Sequence, residues 1–319
     1  MRSFTSLAIS FTLTAFLVGG CGDDTASSSS STNNGDGGST TTNSGGSNPS
    51  SGGAGMGGTD EEQCPAPSPA HEDITAAVDS ITATYIDENG DPAEGVNTTV
   101  CGTNVCSSSV DSQANGTVVV PAGGTEFDSP RFNASHNALA YAKLSAKIPA
   151  FPTHEFGTVR VLSFVPFSQG VAIAAGQESS QGGVTLTVPA DAVIEYDIIS
   201  FMEDQRGLRG VLFDVTSVDA AEFPSLDPSL NLEVLIGVSP LATHICPGAT
   251  LSFDNINDWA ADADVEIFIN GAKIFKHYAP YGEWAKIGDA KVSGDGNTVT
   301  TVEGPGIEVL GTFGARLTP

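Results

Sequence analysis

An apolar side chain at every second position, interrupted by turn-forming residues, is the feature that most constrains this chain. From about residue 74 the pattern recurs, most regularly over residues 159–163, 184–188 and 265–269. Successive side chains of a β-strand point to opposite faces, so a period of two indicates strands with one buried face. Residues 87–92 form a turn signal, and Asn-Gly at 270–271 predicts a hairpin turn into a strand at 272–275. The sequence therefore predicts an all-β fold.

One segment departs from this pattern. Residues 135–148 are rich in alanine, with Ser135 in an N-cap position and Pro149 as a stop. The apolar period there fits a strand as well, and we expect a helix rather than a strand.

The N-terminal quarter has a composition that does not support a folded core. Residues 22–60 are Ser, Thr, Gly and Asn almost throughout, without an aromatic side chain. Such a segment buries too little apolar surface to offset the entropy of ordering, and a coil of this length spans about 35 Å. We therefore expect residues 21–63 to form a disordered tether.

The first 21 residues carry the features of an export signal. A basic start at Arg2 precedes an apolar stretch, residues 4–18, that is too short for a membrane span. The run Val18-Gly19-Gly20-Cys21 resembles a lipobox, in which the cysteine receives a diacylglycerol and the leader, here residues 1–20, is removed. An ordinary signal peptide with a chance cysteine is the alternative. Gly22 instead of aspartate after the cysteine favours an outer-membrane address, with the cell surface favoured over the periplasmic face.

The charge balance excludes some partners. The chain has 12 Lys and Arg against 38 Asp and Glu, a net charge of −26. Such a charge repels nucleic acid and anionic lipid headgroups, so we expect no nucleic-acid partner and membrane contact only through the lipid on Cys21. Solubility on a crowded surface is a simpler explanation of the charge than a specific cationic ligand.

Once Cys21 is lipidated, four cysteines remain: Cys64, Cys101, Cys106 and Cys246. An even number in an oxidising compartment indicates disulfides, and four cysteines allow three pairings. We favour Cys101–Cys106, which closes a tight loop, together with Cys64–Cys246. A zinc site is the alternative, but no histidine lies near Cys101 or Cys106.

Two parts of the chain resemble known β modules. The runs DENGDPAEG at 87–95 and DSQANGTV at 111–118 each precede a strand. Residues 81–122 therefore resemble the prealbumin-like or carboxypeptidase-regulatory-like β-sandwich, although the loop between Cys101 and Cys106 departs from that pattern.

The C-terminal half is similar to ZU5-type domains. The run GGVTLTVPA at 182–190 looks like the entry of such a domain, and VSP at 238–240 and CPGATLSF at 246–253 look like its later strands. The tail, with GEWAKIG at 282–288, is similar to the end of bacterial lipoproteins with this layout. The resemblance implies a protein-binding module without chemistry of its own.

Catalytic motifs are absent from the sequence. Residues 237–240 lack the second glycine of a Gly-x-Ser-x-Gly elbow, and neither His71 nor His154 has a second histidine four positions on. The remaining histidines are scattered. We therefore expect a protein that is not an enzyme.

Two clusters remain as candidate binding residues. Aromatic rings near polar residues bind sugars, and the candidates for such a platform are Trp259, Tyr278, Tyr281 and Trp284. The alternative, which we favour, is that these rings pack in the core. Hard cations bind oxygen-rich loops, and the candidate calcium ligands are Asp254, Asn257, Asp258, Asp262 and Asp264. Their spacing does not fit an EF-hand, and a solvated loop is the favoured interpretation.

The sequence thus predicts two β-sandwich-like domains, residues 64–156 and 157–319, on a lipidated tether. We expect a non-enzymatic binding or scaffolding module of the cell envelope, with an unknown protein or glycan as partner and no cofactor. A carbohydrate-binding surface protein, assisted by calcium, is the alternative.

Overall fold

The computed structural model describes residues 74–133, 140–197, 202–271, 279–302 and 306–319. The predicted signal peptide, Cys21, the tether and Cys64 lie outside these ranges. The described residues form β-strands and short 3-10 turns and contain no α-helix, which confirms the all-β fold class. None of their helical segments has the length and apolar character needed to cross a bilayer.

Seven strands enclose the first apolar core. They are β1 (Thr75–Ile86), β2 (Asn97–Cys101), β3 (Val110–Asp111), β4 (Thr117–Asp128), β5 (Arg131–Asn133), β6 (Ser145–Lys147) and β7 (Thr153–Arg160). One sheet has the order β4-β1-β7, in which β1 is antiparallel to β4 and parallel to β7. The other has the order β3-β2-β5-β6 and is antiparallel throughout.

The inner faces of these two sheets share one core. In β1, Ile81 and Tyr85 are completely buried, as the alternation predicts. Phe132 of β5 stacks on Phe156 of β7 with ring centroids 4.2 Å apart, and on Tyr85 at 6.3 Å. Tyr85 also shares a hydrogen bond of 2.8 Å with Thr98 of β2. Because rings from both sheets interlock, the seven strands form a β-sandwich.

Eleven further strands form the second body. They are β8 (Glu178–Gln181), β9 (Val184–Thr187), β10 (Val193–Glu195), β11 (Arg209–Asp214), β12 (Val234–Ser239), β13 (His244–Asp254), β14 (Asp264–Asn270), β15 (Trp284–Val292), β16 (Thr298–Thr301), β17 (Ile307–Val309) and β18 (Thr312–Leu317). The sheet order is β11-β12-β18-β14-β15-β16-β13-β9-β8, and β10 and β17 pair with β13. The 3-10 turns are Phe167–Gln169, Glu203–Gln205, Val215–Ser217, Ala220–Glu222 and Pro228–Leu230.

The two ends of this sheet approach each other, so the second body is a nearly closed, barrel-like sheet. The backbone N–H of Gly210 on β11 donates to Gln181 Oε1 on β8 at 2.8 Å. Gly182 has a φ of +61°, and a Cβ there would lie 2.1 Å from the Gly210 oxygen. Glycine is therefore required at 182, both for its conformation and for the close approach of the two edges.

A buried polar network joins the sandwich to the barrel. The Asn270 side chain accepts from the Ser145 N–H at 2.8 Å and donates to the Ser145 carbonyl at 3.2 Å. Asn133 accepts from the Ser145 hydroxyl and donates to Tyr281 Oη at 3.0 Å. The Arg131 guanidinium donates to the Tyr281 carbonyl. Burial raises the pKa of Tyr281 to about 12, so its hydroxyl stays protonated.

A second contact lies beside this network. Leu162 packs in one apolar cluster with Phe223 and Leu235, which belong to the barrel half of the chain. Arg160, at the end of β7, forms an ion pair of 2.6 Å with Glu222. These contacts lie within one compact unit, which contains all the residues that the structure describes. The predicted boundary at 156/157 falls inside β7, so the chain leaves the sandwich only after Arg160.

The expected helix over 135–148 is wrong for the part that the structure describes. Residues 145–147 form β6, which pairs with β5, and residues 134–139 lie outside the described ranges. Ser145 is buried against Asn133 and Asn270. These hydrogen bonds to distant residues override the helix preference of a local alanine-rich sequence.

The hairpin expected at 270–271 is also different. The next described strand after β14 that pairs with it is β15, which begins at Trp284 opposite Asn270. A Cβ on Gly271 would lie 2.1 Å from the Pro280 oxygen, so this glycine serves a close backbone contact. The predicted returning strand, residues 272–275, lies outside the described residues.

The Cys101–Cys106 disulfide is formed, as predicted, with sulfurs 2.03 Å apart. Within the loop that it closes, the Thr103 N–H donates to the Asp128 carbonyl at 2.8 Å. The Asn104 side chain accepts from the Asp128 N–H at 3.0 Å. The loop therefore connects the end of β2 to the end of β4 in the opposite sheet.

We expect the double substitution Cys101→Ser/Cys106→Ser to lower the free energy of unfolding by about 2 kcal/mol, because a short loop loses its covalent closure in the unfolded state. Urea denaturation followed by far-UV circular dichroism measures the change. Val105→Thr, an exposed position in the same loop, is the control and should alter stability by less than about 0.5 kcal/mol. Equal stability of the double variant and the wild type would contradict this role.

We expect Asn270→Ala to destabilise the fold by about 2 to 4 kcal/mol, because it leaves the buried N–H and carbonyl of Ser145 without the Asn270 amide. Asn297→Ala is the matched control, since that amide is exposed and contacts only Asp295 through its side chain. Thermal and urea denaturation of the two variants give the comparison. Similar small losses for both would show that the network adds little stability.

Candidate binding pocket

A pocket of about 600 Å³ lies where three connecting segments meet outside the barrel strands: residues 167–173, Tyr196 and residues 203–207. Two of these segments are held together by backbone hydrogen bonds, of 3.0 and 2.6 Å, between Val171 and Leu208. Gly170 and Gly207 touch there, because a Cβ on Gly207 would lie 2.8 Å from the Gly170 carbonyl carbon. The volume is within the range of about 300–1,000 Å³ found for small-ligand sites.

One wall of the pocket rests on a buried arginine. Arg209 is 1% exposed, and its guanidinium lies 4.3 Å from the Phe167 ring centroid and 5.1 Å from that of Phe164. It donates hydrogen bonds to the Val165 carbonyl at 3.2 Å and to Ser239 Oγ at 2.8 Å. Desolvation lowers the pKa of Arg209 to about 10, so the group is still charged at neutral pH. The contact with Arg209 thereby fixes the orientation of the Phe167 ring.

A second ring of the lining has a similar pair. The Arg206 guanidinium lies 4.9 Å from the centroid of the Tyr196 ring. Burial raises the pKa of Tyr196, with Arg206 opposing the shift, so the phenol is a neutral hydroxyl. Glu203 and Asp204 are exposed residues of the lining, and Ile173 is a buried apolar one.

The lining offers groups for binding and not an obvious catalytic set. Ser168 provides a hydroxyl, but the described lining contains no histidine, cysteine or lysine that would activate it as a nucleophile. What the pocket combines is two aromatic rings, two carboxylates and a guanidinium. The rings can stack on a flat ligand, the carboxylates can accept hydrogen bonds from it, and the guanidinium can donate hydrogen bonds to it.

The predicted aromatic platform is not presented at the surface. Trp259 is 6% exposed in the barrel core, and its Nε1–H donates to Glu233 Oε2 at 2.9 Å. Trp284 is half-buried and donates to the Ser225 carbonyl at 2.7 Å. Tyr281 is 3% exposed within the polar network, and Tyr278 lies outside the described residues. Trp259 and Tyr281 therefore lie inside, and Trp284 is a partly buried ring packed against an apolar cluster.

The predicted calcium ligands do not converge. In the described residues, no group of three or more His, Cys, Asp or Glu side chains is placed to hold a metal. Asp254 and Asp264 lie at the ends of β13 and β14, and Asp264 faces Lys291 at 3.7 Å. Asp258 and Asp262 have φ values of 52° and 63°, a left-handed conformation that aspartate tolerates better than most residues. Asn257 Nδ2 donates to the Glu233 carbonyl at 3.4 Å.

The other predicted sites are only partly described. Cys246 is disulfide-bonded, but its predicted partner Cys64 lies outside the described residues, as does Cys21. The Cys64–Cys246 pairing and the lipidation of Cys21 therefore stay predictions.

Sequence reasoning missed the pocket. Its residues come from segments up to 40 positions apart, and none of them belongs to a recognisable motif. The one local signal was the run Arg206-Gly207-Leu208-Arg209, which places two of only 12 basic residues within four positions. The run itself gave no indication that both arginines would stack on aromatic rings outside it.

Comparison with known proteins gives little guidance. No protein-family model matches the chain, and no curated protein matches it. Among solved structures the chain is similar to "The Bacillus anthracis TIE protein", with 9% sequence identity and a TM-score of 0.20. The match covers 75% of this chain and 48% of that one, so the chain spans about half the length of that structure. A similarity at this level carries no argument about fold or function.

We expect the burial of Trp259 to be visible in fluorescence. The chain has two tryptophans, so Trp284→Phe leaves Trp259 as the only emitter. Its emission should lie at short wavelength and resist quenching by acrylamide, because the ring is shielded in the barrel core. The reciprocal variant Trp259→Phe, which leaves half-buried Trp284, should be quenched more readily. Quenching of Trp259 as fast as that of free tryptophan would contradict the buried position.

Proposed function

We propose that this chain is a lipid-anchored protein of the cell envelope that acts as a non-enzymatic binding or scaffolding module. The pocket between Phe167 and Tyr196 carries the binding part of this proposal. Its rings are held from one side by Arg209 and Arg206, so little side-chain freedom is lost when a ligand stacks on them. A site ordered before the ligand arrives is what a binding module requires.

The rigid connection between sandwich and barrel supports the scaffolding part. Asn270 and Ser145 link the two bodies through buried hydrogen bonds. A module built in this way presents its loops in a fixed relative arrangement. The sandwich of seven strands is also in keeping with the resemblance of residues 81–122 to prealbumin-like domains.

The anchoring part of the proposal depends on the N-terminal sequence. Small residues at 19 and 20 precede Cys21, an apolar stretch precedes them, and a tract of Ser, Thr, Gly and Asn follows. Lipidation at Cys21 with a tether of some 40 residues would hold the folded unit at a distance from the bilayer. We place the protein on the outer membrane, with the cell surface as the favoured side.

We expect the protein to incorporate a fatty acid at Cys21. Cells grown with an alkyne-labelled fatty acid should yield labelled wild-type protein, whereas Cys21→Ser should carry no label. Gly22→Asp is the matched control, because it keeps the acylated cysteine and changes only the residue after it. It should be labelled fully but fractionate with the inner membrane. An unlabelled wild type, or label that persists in Cys21→Ser, would contradict the anchor.

Protease treatment of intact cells then tests which side the module faces. Release of a fragment that begins in the tether and ends at Pro319 supports surface display. Protection in intact cells, with cleavage after permeabilisation, would contradict the surface address and place the module in the periplasm.

A further inference from the structure

We propose that the pocket between Phe167 and Tyr196 binds carbohydrate, with an uncharged pyranose ring stacked on one of its aromatic walls. The inference rests on the proposed binding function and gives that function a class of ligand. It places the carbohydrate site away from Trp259 and Trp284, the rings that the sequence had suggested.

The charged groups of the lining narrow the class of ligand. An anion would face the carboxylates of Glu203 and Asp204 in a protein of net charge −26. A cation would be attracted by these carboxylates but could not pair with the guanidinium of Arg206, and it is the competing ligand in the experiment below. A purely apolar ligand would remove all three charges from water without replacing their hydrogen bonds, which is costly. A neutral ligand rich in both hydrogen-bond donors and acceptors can pair with all three groups.

A sugar hydroxyl meets this requirement, because each one donates one hydrogen bond and accepts two. The carboxylates of Glu203 and Asp204 would accept from such hydroxyls. The Arg206 guanidinium would donate to them, and neutral Tyr196 and Ser168 would do either.

The aromatic rings of the lining suit the C–H face of a pyranose, which is its apolar side. Arg209 lies over the Phe167 ring and Arg206 over the Tyr196 ring, which positions both rings before a ligand enters. Aromatic side chains with a fixed orientation contribute contact area at little cost in conformational entropy. Ile173, which is 8% exposed, adds an apolar side chain to the lining. The volume of about 600 Å³ leaves room for more than a single small ion.

Saturation-transfer NMR on the mature, lipidated chain in phosphocholine nanodiscs tests the inference. The probes are methyl α-D-glucopyranoside, methyl α-D-galactopyranoside and N-acetyl-D-glucosamine, with spermidine and benzoate as charged comparators. We expect at least one sugar to receive saturation at its ring C–H protons and neither comparator to do so. Tyr196→Ala should weaken sugar binding about tenfold, in keeping with the loss of one aromatic contact.

Two variants separate binding from folding. Glu203→Gln/Asp204→Asn changes exposed side chains, so it should keep the wild-type melting temperature and still weaken sugar binding several-fold. Phe151→Leu removes an exposed ring of the sandwich half and should leave binding unchanged. The inference is overturned if no sugar receives saturation, or if sugar binding survives both Tyr196→Ala and the double variant at wild-type strength.

The comparators distinguish this failure from a failure of the binding function. If spermidine alone binds, and Glu203→Gln/Asp204→Asn abolishes its binding, the carbohydrate inference is wrong while the pocket remains a binding site. If none of the five probes binds, the carbohydrate inference is wrong, and the fatty-acid labelling still tests the anchor independently.

Discussion

The arrangement of this protein depends on one buried amide. Asn270 lies at the end of β14 in the barrel, and its side chain hydrogen-bonds both backbone groups of Ser145 in the sandwich. Buried backbone groups are costly when they lack partners, so the two bodies fit stably in the register that brings Asn270 to Ser145. Apolar contacts such as those of Leu162 add area but are far less directional. The first pocket segment begins seven residues after β7, the last strand of the sandwich.

Arg209 is a charged residue at a buried position, where an apolar side chain would avoid the cost of desolvating a charge. A buried guanidinium carries a large desolvation cost, which here is offset by hydrogen bonds to the Val165 carbonyl and Ser239 Oγ and by contact with the rings of Phe164 and Phe167. A leucine would fill the same space without that cost. The arginine adds directional contacts. Its planar group donates a hydrogen bond to Ser239 of β12 and also packs on the Phe167 ring of the pocket. Locally unfavourable choices of this kind tend to mark functional sites.

Local signals predicted local structure well. The alternation that includes Val184 and Leu186 gives buried faces as expected, and Cys101 and Cys106 are joined because the chain between them is short. Contacts between distant residues were not predictable in the same way. The barrel closes through Gly182 and Gly210, and strand β6 exists because β5 and Asn270 pair with it. The pocket has the same origin, since backbone hydrogen bonds between the distant residues Val171 and Leu208 hold two of its three segments together.

The aromatic and acidic residues that the sequence suggested as binding sites show why local composition did not locate the pocket. A tryptophan in a strand has the same sequence signature whether it is buried or exposed, and for Trp259 the decisive partner is Glu233, 26 positions away. The aspartates at 258 and 262 turn the chain through left-handed conformations, a structural role that explains their presence without a metal. Glu203 and Asp204 differ from these residues because they lie exposed beside a fixed ring and a cavity. Side chains that combine exposure with a preorganised neighbour are the ones able to meet a ligand, and the proposed function is therefore assigned to them.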